Sequence, residues 1–237
     1  IRLSLVGSEM CIRDRYKGIR TPVRKLAPPT DNKDGVSLYL PPASAKSEQN
    51  EPMLILLPPS EGKNQTPNGP SPAIGVYSGV LYKALDYPTL SPSAKLRCDK
   101  SVVIISAKYG AVSPRDLIEF YKEKIDNAAM RPIVEAKLKP YAKDLIIDCR
   151  SSTYQGVWAA PLDTTVAIRV STVVDGVRKV VTHMSKKTRG EVARMLLANR
   201  SVAKSPEDIY AIVSETYPCA LTPPTDSQPW ILEVIAV

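Results

Sequence analysis

Met53-Leu-Ile-Leu-Leu57, closed by Pro58-Pro59, is a short run with no polar residue to mark a solvent-facing side. That is the pattern of a strand buried on both faces. Val102-Val-Ile-Ile-Ser106 and Leu145-Ile-Ile-Asp148 repeat it. Helix-competent stretches lie near them at 78–85, 92–99 and 132–139, the second with Ser91 placed as N-cap and Pro92 at the first helical position. Strands alternating with helices predict an α/β fold with parallel neighbours.

Downstream, β-branched runs at 164–174 and 177–183 flank Asp175-Gly176, a dipeptide suited to a tight turn with positive φ at both central positions, which predicts an antiparallel hairpin. Helices are expected at 186–199 and 206–216, and a last strand from Trp230. The expected architecture is one α/β domain of α+β character over residues 53–237. Its sheet is mixed and partly parallel, flanked by helices, with a β-hairpin at Asp175-Gly176.

Residues 1–15, IRLSLVGSEMCIRDR, resemble a translated sequencing-adapter artefact, and the proline-rich polar stretch up to Pro52 shows no sustained apolar periodicity. Residues 1–52 are therefore expected to be a non-native or disordered extension, with Met53 as the native start. The chain's net charge of +8 falls to +5 over residues 53–237, which keep 23 of the 32 basic and 18 of the 24 acidic residues. A basic surplus favours polyanionic partners, nucleic acid or nucleotide among them.

Cys11, Cys98, Cys149 and Cys219 are scattered, without a Cys-x-x-Cys pair, and His183 is the only histidine. That excludes a disulfide framework and speaks against a zinc site, so no metal and no cofactor are expected. No apolar run approaches membrane-spanning length, so no membrane partner is expected, and reduced thiols fit a cytoplasmic location. Oligomeric state is not legible.

Each early strand runs into a polar loop: Pro58-Pro-Ser-Glu-Gly-Lys63, Ser106-Ala-Lys-Tyr-Gly110 and Asp148-Cys-Arg-Ser-Ser152. In open α/β sheets ligands sit beyond the carboxyl ends of the strands, so the three loops are candidates to converge on one site. Ser60, Gly62 and Lys63 resemble a reduced phosphate cradle, although the G-x-x-x-x-G-K-[ST] pattern is absent.

His183-Met-Ser-Lys-Lys-Thr-Arg-Gly190 carries the other cluster. With a helix beginning after Ser185, Lys186 and Lys187 stand in its first turn, unfavourable for the helix dipole unless an anion binds there. Asp148 and His183 are the candidates for proton transfer, with Asp116 as a partner for Asp148 should the two meet. Cys149 reads as a buried thiol rather than a redox centre. Enzyme activity is left open.

Taken together, these segments resemble the YaaA family of bacterial peroxide-stress proteins. The likeness is carried by Pro58-Pro-Ser-Glu-Gly-Lys63, Val76-Tyr-Ser-Gly-Val-Leu-Tyr82, Ser106-Ala-Lys-Tyr-Gly110 with Pro114, Asp116, Ile118 and Tyr121, Asp148-Cys-Arg-Ser151 with Tyr154, and His183 to Gly190. It implies a role in survival of hydrogen peroxide, in limiting free iron, and in DNA binding. It also implies that Ser60, Lys63, Ser106, Tyr109, Arg150, Ser151, His183, Lys186, Lys187 and Arg189 line a basic crevice for a phosphate-bearing ligand, DNA or nucleotide. An enzyme acting on a nucleotide or nucleobase, hydrolase or glycosylase-like, is the alternative, and a purely structural interaction module is a third. Longer members insert a helix-hairpin-helix-like element before the Tyr77 motif, whereas here only Asn64 to Val76 fills that gap.

Overall fold

The computed structural model describes residues 53–174 and 177–236. The expectations for residues 1–52, and the turn pair Asp175-Gly176 itself, lie outside the described residues. In chain order the elements are β1 (Met53–Leu57), β2 (Ser71–Pro72), α1 (Ala73–Val76), α2 (Val80–Leu85), α3 (Pro92–Ser101), β3 (Val102–Ser106), β4 (Gly110–Val112) and β5 (Leu117–Ile118). They continue with α4 (Asn127–Leu138), β6 (Leu145–Asp148), α5 (Ser152–Gln155), β7 (Thr165–Val174), β8 (Val177–Lys179), α6 (Thr182–Ala198), α7 (Pro206–Ser214), β9 (Cys219–Thr222) and β10 (Trp230–Ala236).

The main sheet runs β4-β3-β1-β6-β7-β10-β9, with β8 paired to β7. From β3 to β10 every neighbouring pair is parallel, and β4, β8 and β9 pair antiparallel with their partners. This is the mixed α/β sheet expected from the sequence, and the three apolar runs became β1, β3 and β6 with the bounds read for them. The predicted hairpin strands pair as Val174↔Val177 and Thr172↔Lys179. β6 pairs with only the first part of β7, from Thr165 to Ala167, so the β7–β8 ribbon continues past the carboxyl end of β6.

β1 is buried along its whole length because both faces of the sheet are covered there. Met53, Ile55 and Leu57 join a core built with α1, α2, α3 and α6, while Leu54 and Leu56 join a second core with Val134 and Leu138 of α4 and with Val157 and Trp158. The chain leaving β1 therefore builds one face. The chains leaving β3 and β6, on either side of it, build the other. Connections that part to opposite faces open a crevice at the carboxyl end of the central strand.

Three element boundaries differ from the sequence reading by more than two residues, each for a local reason. α4 begins at Asn127, capped by the Asp126 side chain accepting from Ala128 N and Ala129 N, and carries Pro132 within it rather than at its start. β8 stops at Lys179, and α6 starts at Thr182 rather than after Ser185. The β-branched residues 180–182 read as strand, but the buried stripe Ser185, Thr188, Val192, Leu196 extends the helical period back toward them. β4 and β9 were not legible, since each is short and borders turn residues.

Gly110, at φ +76°, opens β4 in the left-handed region that glycine tolerates. Gly190 has a different reason to be glycine. An added Cβ there would lie 2.2 Å from the Leu81 carbonyl oxygen and 2.9 Å from Ala84 Cβ, so α6 and α2 touch backbone to backbone. Glycine to alanine inside a helix ordinarily gains about 1 kcal/mol in propensity. Here the overlap reverses the sign, and Gly190→Ala is expected to lose about 1–3 kcal/mol, read as a lower urea midpoint at unchanged m-value.

Candidate functional site: a tyrosine-lined crevice at the carboxyl end of the sheet

The loop after β1 is tied down at each step. Tyr82 donates its hydroxyl to Pro58 O at 2.7 Å, Ser60 Oγ accepts from Gly79 N at 3.2 Å and donates to Gly62 O, and Gly62 O accepts from Ser78 N at 3.0 Å. Lys63 forms an antiparallel bridge with Tyr77, and Asn64 N donates to Val76 O at 2.8 Å. The Pro-Pro-Ser-Glu-Gly-Lys segment is thus a rigid strap bound to the segment preceding α2. The reduced-cradle reading put Ser60 and Lys63 side by side on the loop. Instead, Ser60 ties the strap to the start of α2, and Lys63 projects onto tyrosine rings.

Those rings come from distant parts of the chain. Tyr77 and Tyr82 stack at 5.2 Å, while Tyr121 meets Tyr77 and Tyr109 edge-on at 6.4 and 5.9 Å. The Tyr121 hydroxyl is a hub, 2.8 Å from the Tyr77 hydroxyl and 2.9 Å from Ser106 Oγ, and it accepts from Ala107 N at 3.3 Å. Ser106 Oγ also accepts from Tyr109 N at 3.1 Å. Lys63 Nζ lies 4.2 Å from the Tyr121 ring centre and 5.9 Å from that of Tyr77. Contacts of this kind contribute roughly 0.5–2 kcal/mol according to how dry they are. The tyrosines are dispersed along the chain, so nothing in the sequence marks them as a cluster, and only the folding of the 76–82 and 106–121 segments onto β1 unites them.

Burial governs the ionisation of these groups. It pushes the Tyr77 and Tyr82 hydroxyls well above the usual tyrosine range and raises Tyr121 as well, with neighbouring tyrosines adding to the shift of Tyr77 and Tyr82. Lys63 is moved the opposite way, its partial burial lowering its proton affinity against the pull of Glu123 and Glu61.

Asp148 and Arg150 are joined to each other. Both Asp148 oxygens accept from the Arg150 fork at 2.9 Å, and the remaining guanidinium donors reach the carbonyls of Tyr154 and Trp158 at 3.1 Å. The side chains are 5% and 1% exposed. Arg150 therefore acts through the loop it ties together, not through a free fork, and Asp148 offers no unengaged oxygen of the kind proton transfer would need. Asp116 is likewise spent locally, accepting from Ser113 N at 2.8 Å. Ser151 is half-buried, with its backbone oxygen accepting from Tyr154 N and Gln155 N. Cys149 is fully buried, and burial pushes its thiol up to about 12 despite nearby Arg189, which suits an inert thiol.

α6 carries the third group to the same end of the sheet. Arg189 Nε donates to Ile168 O at 3.2 Å, and Arg189 stands close enough to Cys149, just past β6, to influence its thiol. Gly190 meets Leu81 near the start of α2, and Arg194 binds Leu85 O and Asp86 O at its end. The two helices therefore run alongside in the same direction, with both starts facing the crevice. His183 lies in the first turn of α6, exposed, rather than at a strand end. Lys187 pairs with Glu191 at 3.5 Å, while His183 and Lys186 are exposed and bond to none of the described residues. No side chain caps this helix, its first turn holds no acid, and Ser185 Oγ is buried without a partner. Lys63 and Arg150 thus lie in the loops that follow the neighbouring strands β1 and β6, and Lys186 in the first turns of α6, with no contact among the three side chains.

Among the described residues no cluster of His, Cys, Asp and Glu could hold a metal ion, and no helix is long and apolar enough to cross a membrane.

The architecture defines a doubly wound α/β protein whose polar loops gather beyond the carboxyl end of its central strand, a class that hosts many activities. The family model for peroxide stress protein YaaA matches residues 60–220. The chain is 32% identical over 182 residues to a UPF0246 protein of Streptomyces coelicolor, covering 70% of this chain and 69% of that one. It is 34% identical over 173 residues to one from Corynebacterium glutamicum, at 66% and 67% coverage, and 40% identical over 138 residues to one from Corynebacterium efficiens, at 53% and 54%. The protein belongs to the YaaA (UPF0246) family of peroxide-stress proteins.

Two tests follow from this geometry. Asp148→Asn strands a buried guanidinium and is expected to cost about 3–5 kcal/mol, measured by urea unfolding. Alkaline pH acts through the tyrosines: their pKa is raised on folding, so above about pH 10 the unfolded chain has released protons that the native state still holds. Stability is then fully present below that pH and falls as pH climbs further. Urea midpoints taken from pH 8 to 11 should drop above about 10, and less steeply in Tyr77→Phe.

Proposed function

We propose that the protein acts in the peroxide-stress response by binding a phosphate-bearing ligand, DNA or a nucleotide, at the basic end of the crevice. The observation that carries this reading is the start of α6. Its free N–H groups and dipole attract negative charge, no internal acid or cap occupies them, and His183 and Lys186 stand there without partners. Lys187 and Arg189 add charge to the same turns, and Lys63, Tyr109 and Ser151 furnish the polar wall on the strand side, with the buried Ser106 holding Tyr109 and Tyr121 from behind.

The segment 64–76 forms β2 and α1 rather than a helical hairpin, so DNA contacts in this reading come from α6 and the crevice loops. Contacts of that sort are electrostatic and indifferent to sequence. The action is cytoplasmic, and the protection from free iron is indirect, through the nucleic acid or nucleotide that is bound. In the alternative, general acid–base chemistry on a nucleotide or nucleobase by Asp148 or His183, the closed Asp148–Arg150 fork counts against Asp148 and leaves the exposed His183 as the candidate.

Binding of a short DNA duplex, followed by fluorescence anisotropy over a range of salt, tests the reading. Lys186→Ala should weaken binding and lower the slope of log affinity against log salt by about one, with a further loss in the Lys186→Ala, Lys187→Ala double variant. Unchanged affinity and slope in both would remove the proposal.

A further inference from the structure

We propose that Lys63 is an amine nucleophile that captures an aldehyde carried by the phosphate-bearing ligand, forming an imine; the proposal rests on the anion-binding reading of the crevice. A lysine that only attracts phosphate works best as a hydrated point charge at the surface. Lys63 is built differently. Its backbone is clamped by the Tyr77 bridge and by its neighbours, Gly62 O accepting from Ser78 N and Asn64 N donating to Val76 O, so the base of the side chain is fixed. Its Nζ rests on the faces of Tyr121 and Tyr77, and no carboxylate stands within ion-pair distance among the described residues. Glu123, the nearby acid named first among its electrostatic neighbours, lies 3.9 Å from Lys108. Partial burial lowers its proton affinity, which raises the share of the neutral amine, the form with a lone pair to give.

The chemistry is closed without an oxidant or reductant. The amine lone pair forms a bond to the carbonyl carbon as the C=O π pair moves to oxygen, and a proton passes from nitrogen to that oxygen to give a carbinolamine. Protonation of its hydroxyl and cleavage of the C–O bond release water and leave the protonated imine. Tyr121, the ring beneath Nζ, carries the hydroxyl that links Tyr77 and Ser106, and burial keeps that hydroxyl protonated. It is therefore a neutral hydrogen-bonding group at the wall of the site, and the proton taken up as water leaves comes from solvent. The ligand class is an aldose opened beside a phosphate. It occurs both at an abasic site in DNA and in a free sugar phosphate, and the α6 start would hold the phosphate of either.

The experiment incubates the full chain with a duplex containing one abasic site or with ribose 5-phosphate, each in the presence of sodium cyanoborohydride, and maps the reduced adduct by peptide mass spectrometry. A secondary amine on the Lys63 peptide that disappears in Lys63→Arg supports the proposal, provided the variant keeps the wild-type urea midpoint. Lys63→Met serves as a second variant with the same expectation. Adduct from the duplex alone assigns the aldehyde to nucleic acid, and adduct from both assigns it to the shared sugar phosphate. Wild-type protein that binds the duplex yet yields no adduct, or equal labelling of other lysines in Lys63→Arg, overturns it. An adduct at Lys63 that is insensitive to Lys186→Ala and accompanies no measurable duplex binding would sink the anion-binding reading and leave the nucleophile standing.

Discussion

The structure depends on the position of β1, hydrogen-bonded to parallel strands on both edges and covered on both faces. A strand so enclosed leaves no solvent for the polar groups at its end, and each must find a protein partner. Leu56 O accepts from Cys149 N and Pro58 O from the Tyr82 hydroxyl, and farther on, where the strap is exposed, Gly62 O accepts from Ser78 N. Satisfying these groups draws the loops after β1 and β6, together with the residues before α2, to one place. The crevice is a consequence of that requirement.

The same requirement explains why the site mixes tight structural roles with open ones. Arg150 and Asp148 neutralise each other inside the β6 loop, and buried charges persist only on those terms. Their value lies in holding the loop that shapes the wall. Ser60 is similar, bridging the strap and the start of α2. Open chemistry is left to Lys63 on its tyrosine rings and to the first turns of α6, where His183 and Lys186 face solvent. Six of the residues implied by the family resemblance (Ser60, Lys63, Ser106, Tyr109, Arg150 and Arg189) are thus tied into this network, although not in equivalent roles.

The helices of the first core set the reach of the basic group. Because Gly190 has no side chain, α6 can approach the Leu81 carbonyl, and Arg189 can meet the backbone of β7 beside Cys149. A bulkier residue would separate α6 from α2 and carry its basic first turns away from the crevice. A small residue in mid-helix therefore bears on function through distance alone.

From the sequence by itself came the α/β class, the three central strands, Ser91 as the cap of α3, the antiparallel ribbon around Asp175-Gly176, and the family, because each is written in local periodicity, turn chemistry or contiguous motifs. Tertiary structure alone decided that α6 starts at Thr182, that Asp148 and Arg150 close on each other, and that Tyr77, Tyr82, Tyr109 and Tyr121 form one cluster with Lys63 over the Tyr121 and Tyr77 rings. Those outcomes arise from contacts between residues far apart in the chain, whose free energy depends on burial and on which neighbour is present. Neither quantity exists until the sheet has brought the loops together.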